Sequence, residues 1–141
     1  MSKTIRCDIV SAREEVFSGD AAMLFAAGSA GDLGITPRHA PLITTLKPGP
    51  IRVQLPDGEE LFFFVGGGIL EVQPHLVTVL ADTVVRADDL DEAAAQRARD
   101  EAERQLQDRT ADLEIAEAQA KMAEAIAQLQ ALEQLRRKLK R

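Results

Sequence analysis

The stretch Val84-Val85-Arg86-Ala87-Asp88-Asp89-Leu90-Asp91-Glu92-Ala93-Ala94-Ala95 divides the chain into two halves of different chemistry. All nine glycines lie at or before Gly68, all six prolines at or before Pro74, and the five phenylalanines end at Phe64. From Ala87 to Arg141 there are fourteen alanines and only three β-branched residues, Thr110, Ile115 and Ile126. β-Branched and aromatic side chains suit a pleated surface, whereas Ala, Leu, Glu, Gln, Lys and Arg lose little on entering a helix. The expected fold class is therefore α+β. Residues 1–86 should form an antiparallel β-sandwich, and residues 87–141 a two-helix antiparallel hairpin.

On the helical side, Asp89 is placed to cap the first helix, with Glu92 three positions later reaching back as in a capping box. Leu90, Ala94, Ala98, Ala102 and Leu106 recur every four residues as a narrow small-residue stripe. Asp108-Arg109-Thr110 is the expected break, with Asp108 or Thr110 capping the second helix. That helix carries Leu113, Ala116, Ala120, Ala123 and Ala127, then Leu129, Leu132, Leu135 and Leu139. Alanine stripes let two helices approach closely, so an antiparallel hairpin is the simplest arrangement. From Asp112 to Lys140 the second helix would run roughly 44 Å at 1.5 Å per residue. A helix of that length, alanine-faced and ending in Arg136, Arg137, Lys138, Lys140 and Arg141, is expected to dock onto something.

On the strand side, short apolar runs alternate with turn chemistry. Ile5, Cys7 and Ile9 alternate with Arg6 and Asp8, residues 22–27 and 42–46 are further short runs, and 51–55 with 61–65 read as a hairpin around Pro56-Asp57-Gly58. Residues 69–72 and 77–85 read as another hairpin around Gln73-Pro74-His75. So many short strands in so few residues favour a sandwich or barrel.

The net charge of −6 argues against nucleic acid, because phosphate binding needs a basic face. No run reaches the eighteen or so apolar residues of a membrane span. The N-terminus enters an apolar alternation at once, without the pattern of a signal or transit peptide, and the single Cys7 cannot form an internal disulfide, so a cytosolic compartment is expected. Cys7, His39 and His75 lack metal-ligand spacing, and no metal or cofactor is expected. Gly66-Gly67-Gly68 is not followed by the residues of a phosphate-binding or dinucleotide loop and reads as a bulge or close backbone approach. Cys7 reads as a small core residue and His75 as a solvated loop residue. Glu14-Glu15 and Glu59-Glu60 are adjacent carboxylates, and adjacent strand residues face opposite ways. No catalytic residue emerges, and the chain is not expected to be an enzyme by itself.

The segment Gly31-Asp32-Leu33-Gly34-Ile35-Thr36-Pro37-Arg38-His39-Ala40-Pro41-Leu42, continued by Leu46-Lys47-Pro48-Gly49-Pro50-Ile51-Arg52, closely resembles the signature of ATP synthase epsilon subunits. Gly67-Gly68-Ile69-Leu70-Glu71-Val72 and Val77-Thr78-Val79-Leu80-Ala81-Asp82-Thr83 resemble that family's closing strands. Asp89-Leu90-Asp91-Glu92-Ala93 and Ala123-Glu124-Ala125-Ile126-Ala127-Gln128-Leu129 resemble its two C-terminal helices. The resemblance spans essentially the whole chain.

It implies a non-catalytic rotor component of the central stalk, coupling proton flow to ATP synthesis and inhibiting hydrolysis through its C-terminal helices. The implied partners are the gamma subunit, the c-ring, and the alpha and beta subunits of the catalytic sector. The implied location is peripheral, on the cytoplasmic face of the bacterial plasma membrane, reached only through the complex. Asp32 matches the family's c-ring contact, although Gly31-Asp32-Leu33-Gly34 also reads as a tight turn. His39 matches a position near the gamma and c-ring surfaces, and the more favoured reading is that it fixes its loop through ring hydrogen bonds. Arg136, Arg137, Lys138, Lys140 and Arg141 match the basic end of the inhibitory helix, facing acidic segments of the catalytic subunits; their other reading is as cations complementing a helix C-terminus.

One motif departs from the family. Some members bind ATP through Ile or Leu, Asp, any two residues, Arg, Ala; here Leu90, Asp91, Ala94 and Ala95 hold those places, with Ala94 where the arginine would be. The competing classes are a stand-alone sandwich binding module with a helical interaction tail and an independent nucleotide sensor. The first would need exposed aromatics or a calcium-ligand cluster, and Tyr and Trp are both absent.

Overall fold

The structure is a computed structural model that describes residues 4–108 and 112–139. Eight strands come first: β1 (Ile5–Ser11), β2 (Glu15–Ala21), β3 (Met23–Gly28), β4 (Gly31–Ile35), β5 (Leu42–Gln54), β6 (Glu60–Val72), β7 (Leu76–Ala81) and β8 (Val84–Arg86). A single 3-10 turn, Ala87–Asp89, leads to α1 (Glu92–Asp108) and α2 (Asp112–Leu139). The strands hydrogen-bond in the order β2-β1-β7-β6-β5-β3-β4, with β8 beside β6. All pairs are antiparallel except β1 with β7.

This path closes into a sandwich because β5 and β6 serve both layers. The N-terminal part of β6 pairs with β8 and its C-terminal part with β7. Between them lies the glycine triplet opposite Lys47-Pro48, where Pro48 lacks a backbone donor. Gly67 and Gly68 take φ of 100° and 155°. A Cβ on Gly68 would lie 2.1 Å from the Leu80 carbonyl oxygen. The triplet is thus a close backbone approach, as its sequence suggests.

The folded sheet brings Ile9, Leu24, Ile51, Phe63, Leu70 and Val79 into one core. Phe17 of β2 meets Phe63 of β6 with ring centroids 6.1 Å apart, a contact across the layers. Cys7 belongs to this core; burial pushes its thiol up to about 12, with the Asp8 charge adding to the rise. It is a packing residue, and His75 is exposed in its turn.

The run Phe62-Phe63-Phe64 is apolar on both faces because both are covered. Phe63 enters the sandwich core, while Phe62 and Phe64 point outward to a second cluster with Ala87, Ala127 and Ala131, flanked by Leu90 and Leu135. The C-terminal half of α2 therefore lies on the outside of the sandwich.

Three details differ from the sequence-based expectation. Gly31-Asp32-Leu33-Gly34 is not a turn but most of the edge strand β4, paired to β3 through Ala27↔Asp32 and Gly28↔Gly31; the turn falls at Ser29-Ala30. The cap of α1 is Asp91, whose carboxylate accepts a hydrogen bond from the Ala94 N–H at 3.1 Å, and not Asp89, which is taken up in the 3-10 turn behind the buried Ala87. The buried residues of α1 are Ala95 and Ala102, while Ala94 and Ala98 are exposed. Four residues at 3.6 per turn advance a side chain by about 40° each step, so an every-fourth stripe winds off the interface, whereas a seven-residue spacing drifts by about 20°.

The same spacing marks Ala118, Ala125 and Leu132 of α2 as buried, while Ala116, Ala120 and Ala123 face outward and Leu139 is 75% exposed. Ala127, Ala131 and Leu135 form the separate face that meets the sheet. The expected break at Asp108-Arg109-Thr110, with its caps, lies outside the residues whose side chains are described, as does Leu113.

Candidate functional site

Strand alternation places Glu60 on the same face of β6 as Phe62 and Phe64. At the edge of the apolar cluster its carboxylate is shared between layers. Arg52 Nη1 of β5 donates to Oε2 at 2.7 Å, and Lys138 Nζ of α2 lies 3.3 Å from Oε1. The Arg52 guanidinium is itself held, stacked over the Phe25 ring at 3.9 Å from its centroid. Burial alone would raise the Glu60 carboxyl. The hydrogen bonds and charges of Arg52 and Lys138 outweigh it and hold the group below its ordinary value.

The other described cations at the end of α2 are engaged too. Arg136 donates to Glu92 in the first turn of α1, and that hydrogen bond holds the Glu92 carboxyl low while raising the arginine. Arg137 donates to Glu133 one turn back at 2.6 Å. Those four groups are largely exposed, and solvent-screened pairs of this kind add little to stability. Glu60 differs, with its side chain only 12% exposed. Lys140 and Arg141 lie outside the described residues.

Asp32 lies near the start of β4, and His39 lies in the loop beyond its end. Asp32 is exposed and lines a groove of about 630 Å³ with Lys47, Pro48, Gln130, Glu133 and Arg137, between β4, the bend of β5 and α2. His39 is half-buried, its Nδ1 lies 2.8 Å from the Ala40 carbonyl, and its backbone N–H donates to Thr36 at 3.2 Å. Arg38 adopts φ of 65°, the left-handed region, and donates its N–H to the Pro74 carbonyl at 3.0 Å, seating the loop against the β6–β7 turn.

Of the ATP-motif positions, Leu90 packs on the second cluster, Asp91 caps α1, Ala94 is exposed and Ala95 is buried. Sequence reasoning misses Glu60 and Glu92 as partners of the tail, and Arg52 as the group that orients Glu60. The signal available for Glu60 is its two-residue spacing from the outward-facing phenylalanines. Among the described residues no cluster of three or more His, Cys, Asp or Glu is placed to hold a metal, and no helix is long and apolar enough to cross a membrane.

Comparison with known proteins finds both halves. A family model described as the ATP synthase delta/epsilon chain β-sandwich domain matches residues 4–87, and one described as the long α-helix domain of the same chain matches residues 88–133. The ATP synthase epsilon chain of Stenotrophomonas maltophilia is 61% identical over 137 residues, covering 97% of this chain and 98% of the relative. That of Nitrosococcus oceani is 60% identical over 139 residues, covering 99% of each. Among solved structures, a chain of the Euglena gracilis mitochondrial ATP synthase superposes with a TM-score of 0.76 at 18% identity, over 99% of this chain and 83% of its own. A chain of the Tetrahymena thermophila central stalk and c-ring structure gives 0.65 at 16% identity, over 93% and 97%. These two structural likenesses speak to the fold.

Proposed function

We propose a function from one premise: the chain belongs to the family of ATP synthase epsilon chains, which are non-catalytic subunits of that enzyme. On this reading it is a rotor component of the central stalk. Its sandwich bridges the gamma subunit to the c-ring, and its helices restrain ATP hydrolysis by reaching the alpha and beta subunits. It sits peripherally at the cytoplasmic face of the bacterial plasma membrane through the complex alone. Exposed Asp32 and the Arg38-His39 loop are the proposed contacts toward the c-ring and gamma.

The observation that carries the reading is the seating of α2. Alanines flanked by Leu90 and Leu135 cover Phe62 and Phe64, and the basic end is held by side-chain charges. That is the construction of an element able to leave one surface for another.

Coupling tests it. Membranes lacking this chain should retain ATP hydrolysis by the catalytic sector while ATP-driven proton pumping falls sharply. Loss of hydrolysis in the isolated catalytic sector would instead place the chain in the chemistry and overturn the stalk role. Alanine at Arg136, Arg137, Lys138, Lys140 and Arg141 should raise hydrolysis by the assembled enzyme, and inhibition should weaken as salt rises, because exposed charge contacts are screened beyond about 8 Å at physiological salt.

Nucleotide control is not part of this proposal. Ala94 supplies neither the charge nor the planar donors of an arginine, and the Asp91 carboxylate is used as a cap. Arg97 stands three residues further on, rotated and about 4.5 Å along the axis. Calorimetry on the purified chain should show very weak ATP binding, with affinity gained in Ala94→Arg. Tight binding by the unaltered chain would defeat this expectation.

A further inference from the structure

We infer that Glu60 is the catch of a charge latch that holds the helical hairpin on the sandwich, so that neutralising this one carboxylate releases α2. The inference rests on the proposed role of the hairpin only for its consequence in the assembled enzyme; the latch itself is a property of the chain.

The apolar seat is met mainly by small side chains. Phe62 and Phe64 are covered by the methyl groups of Ala127 and Ala131, with Leu90 and Leu135 at the margin. A methyl group offers few atoms for dispersion contact, so ionic contacts add to what the apolar seat contributes. Of the ion pairs at this end, Arg137–Glu133 is internal to α2 and does not bear on docking. Arg136–Glu92 ties α2 to α1 and survives if the hairpin leaves as a unit. Among the described residues, Lys138–Glu60 is the ion pair that joins α2 to the sheet, and it sits on the least exposed carboxylate of these pairs.

The catch is also prearranged. Arg52, fixed by its stacking on Phe25 and its bond to Oε2, orients the Glu60 carboxylate whether or not α2 is present, leaving Oε1 for the ammonium. Around Glu60 the facing groups are Arg52 from β5 and Gln134, Arg137 and Lys138 from α2, and Phe62 lines the same groove. Glutamine at position 60 keeps the shape and removes the charge.

Ala131→Cys places a reporter thiol in the fully buried seat, and Cys7 is a built-in reference in the separate sandwich core. In the full-length chain carrying Ala131→Cys, adding Glu60→Gln should speed modification by a dithiodipyridine reagent roughly five- to tenfold, and Lys138→Gln should do the same. Arg52→Gln, which removes the group orienting the carboxylate but leaves the Lys138 ammonium in place, should give a smaller rise than either. Cys7 should stay unreactive throughout. An unchanged rate in Glu60→Gln, or an equal rise at Cys7 reporting general loosening, overturns the latch.

Acid provides a second arm. Because the folded-state carboxyl lies below its ordinary value of 4.5, the latch is fully closed above that pH and opens as pH falls through the lowered value. Reactivity at position 131, normalised to a free thiol at each pH, should rise there and be flattened by Glu60→Gln. A rise of the same size in that variant counts against the latch.

In the assembled enzyme Glu60→Gln should lower hydrolysis, since it frees the hairpin while leaving its cations intact. Faster labelling without lower hydrolysis keeps the latch and defeats the inhibitory role of the helices. Unchanged labelling defeats the latch whatever hydrolysis does.

Discussion

Gly68→Ala is expected to destabilise the sandwich by about 3 kcal/mol or more, the upper range for strained backbone and forced overlap. The added Cβ would stand 2.1 Å from the Leu80 oxygen and 2.9 Å from the Ala81 Cα, both backbone atoms of β7 that no rotamer change can move. The conformation compounds the clash, since φ of 155° is one that L side chains rarely adopt. Gly58 separates the two effects. It has φ of 91°, and a Cβ there would meet nothing within 4 Å, so Gly58→Ala should cost only the conformational part, about 1 kcal/mol. Urea denaturation of the two variants measures the difference. A Gly68→Ala loss below that of Gly58→Ala would mean that β7 yields easily and that the bend is not fixed by this contact. The bend matters beyond stability: it places the N-terminal part of β6 in the second layer, and so sets Phe62, Phe64 and Glu60 facing α2.

The boundary between strand and helix chemistry was legible because the two halves use different side chains. Within the β half, legibility failed at the edges. β2 contains Ser18-Gly19-Asp20 and β4 contains Gly31, Asp32 and Gly34, residue types depleted in strands. Each becomes a strand because a neighbour offers a complete ladder, β1 to β2 and β3 to β4. No local pattern reports that. The cap of α1 shifted from Asp89 to Asp91 for a similar reason. Both aspartates suit the role locally, and burial of Ala87 against the phenylalanine cluster decides which one starts the helix.

The candidate site was legible only in part. The basic end of α2 was evident, but its partners Glu60 and Glu92 are remote in sequence, and only the two-residue spacing of Glu60 from Phe62 hinted at the face it shares. The triple phenylalanine carries more information than its strand propensity alone. Three consecutive aromatics on a strand require a cover on both faces, and the alanine-rich helical half was left to provide the second.

A chain ending at Arg86 should fold, yet lose about 2–4 kcal/mol of stability, less than two fully buried phenylalanines are worth. It should fold because the main core is complete without the helices: its buried members run from Ile5 to Ala81. It should lose stability because Phe64, fully buried, and Phe62, 6% exposed, would exchange the cover of Ala87, Ala127 and Ala131 for water. The loss is partial because the sheet still covers one side of each ring. The bared pair forms an apolar patch on a sheet surface, a surface prone to self-association. Phe62→Thr with Phe64→Thr turns this into a crossed test, since threonine keeps strand propensity and removes the patch. In the shortened chain the double substitution should restore solubility with little further loss of stability. In the full chain the same substitution should weaken hairpin docking and lower the denaturation midpoint. A shortened chain that is unfolded, with or without the threonines, would make the hairpin part of the core and place the domain boundary elsewhere. A shortened chain as stable as the full one would mean that docking of α2 contributes nothing, and the alanine seat would be contact without consequence.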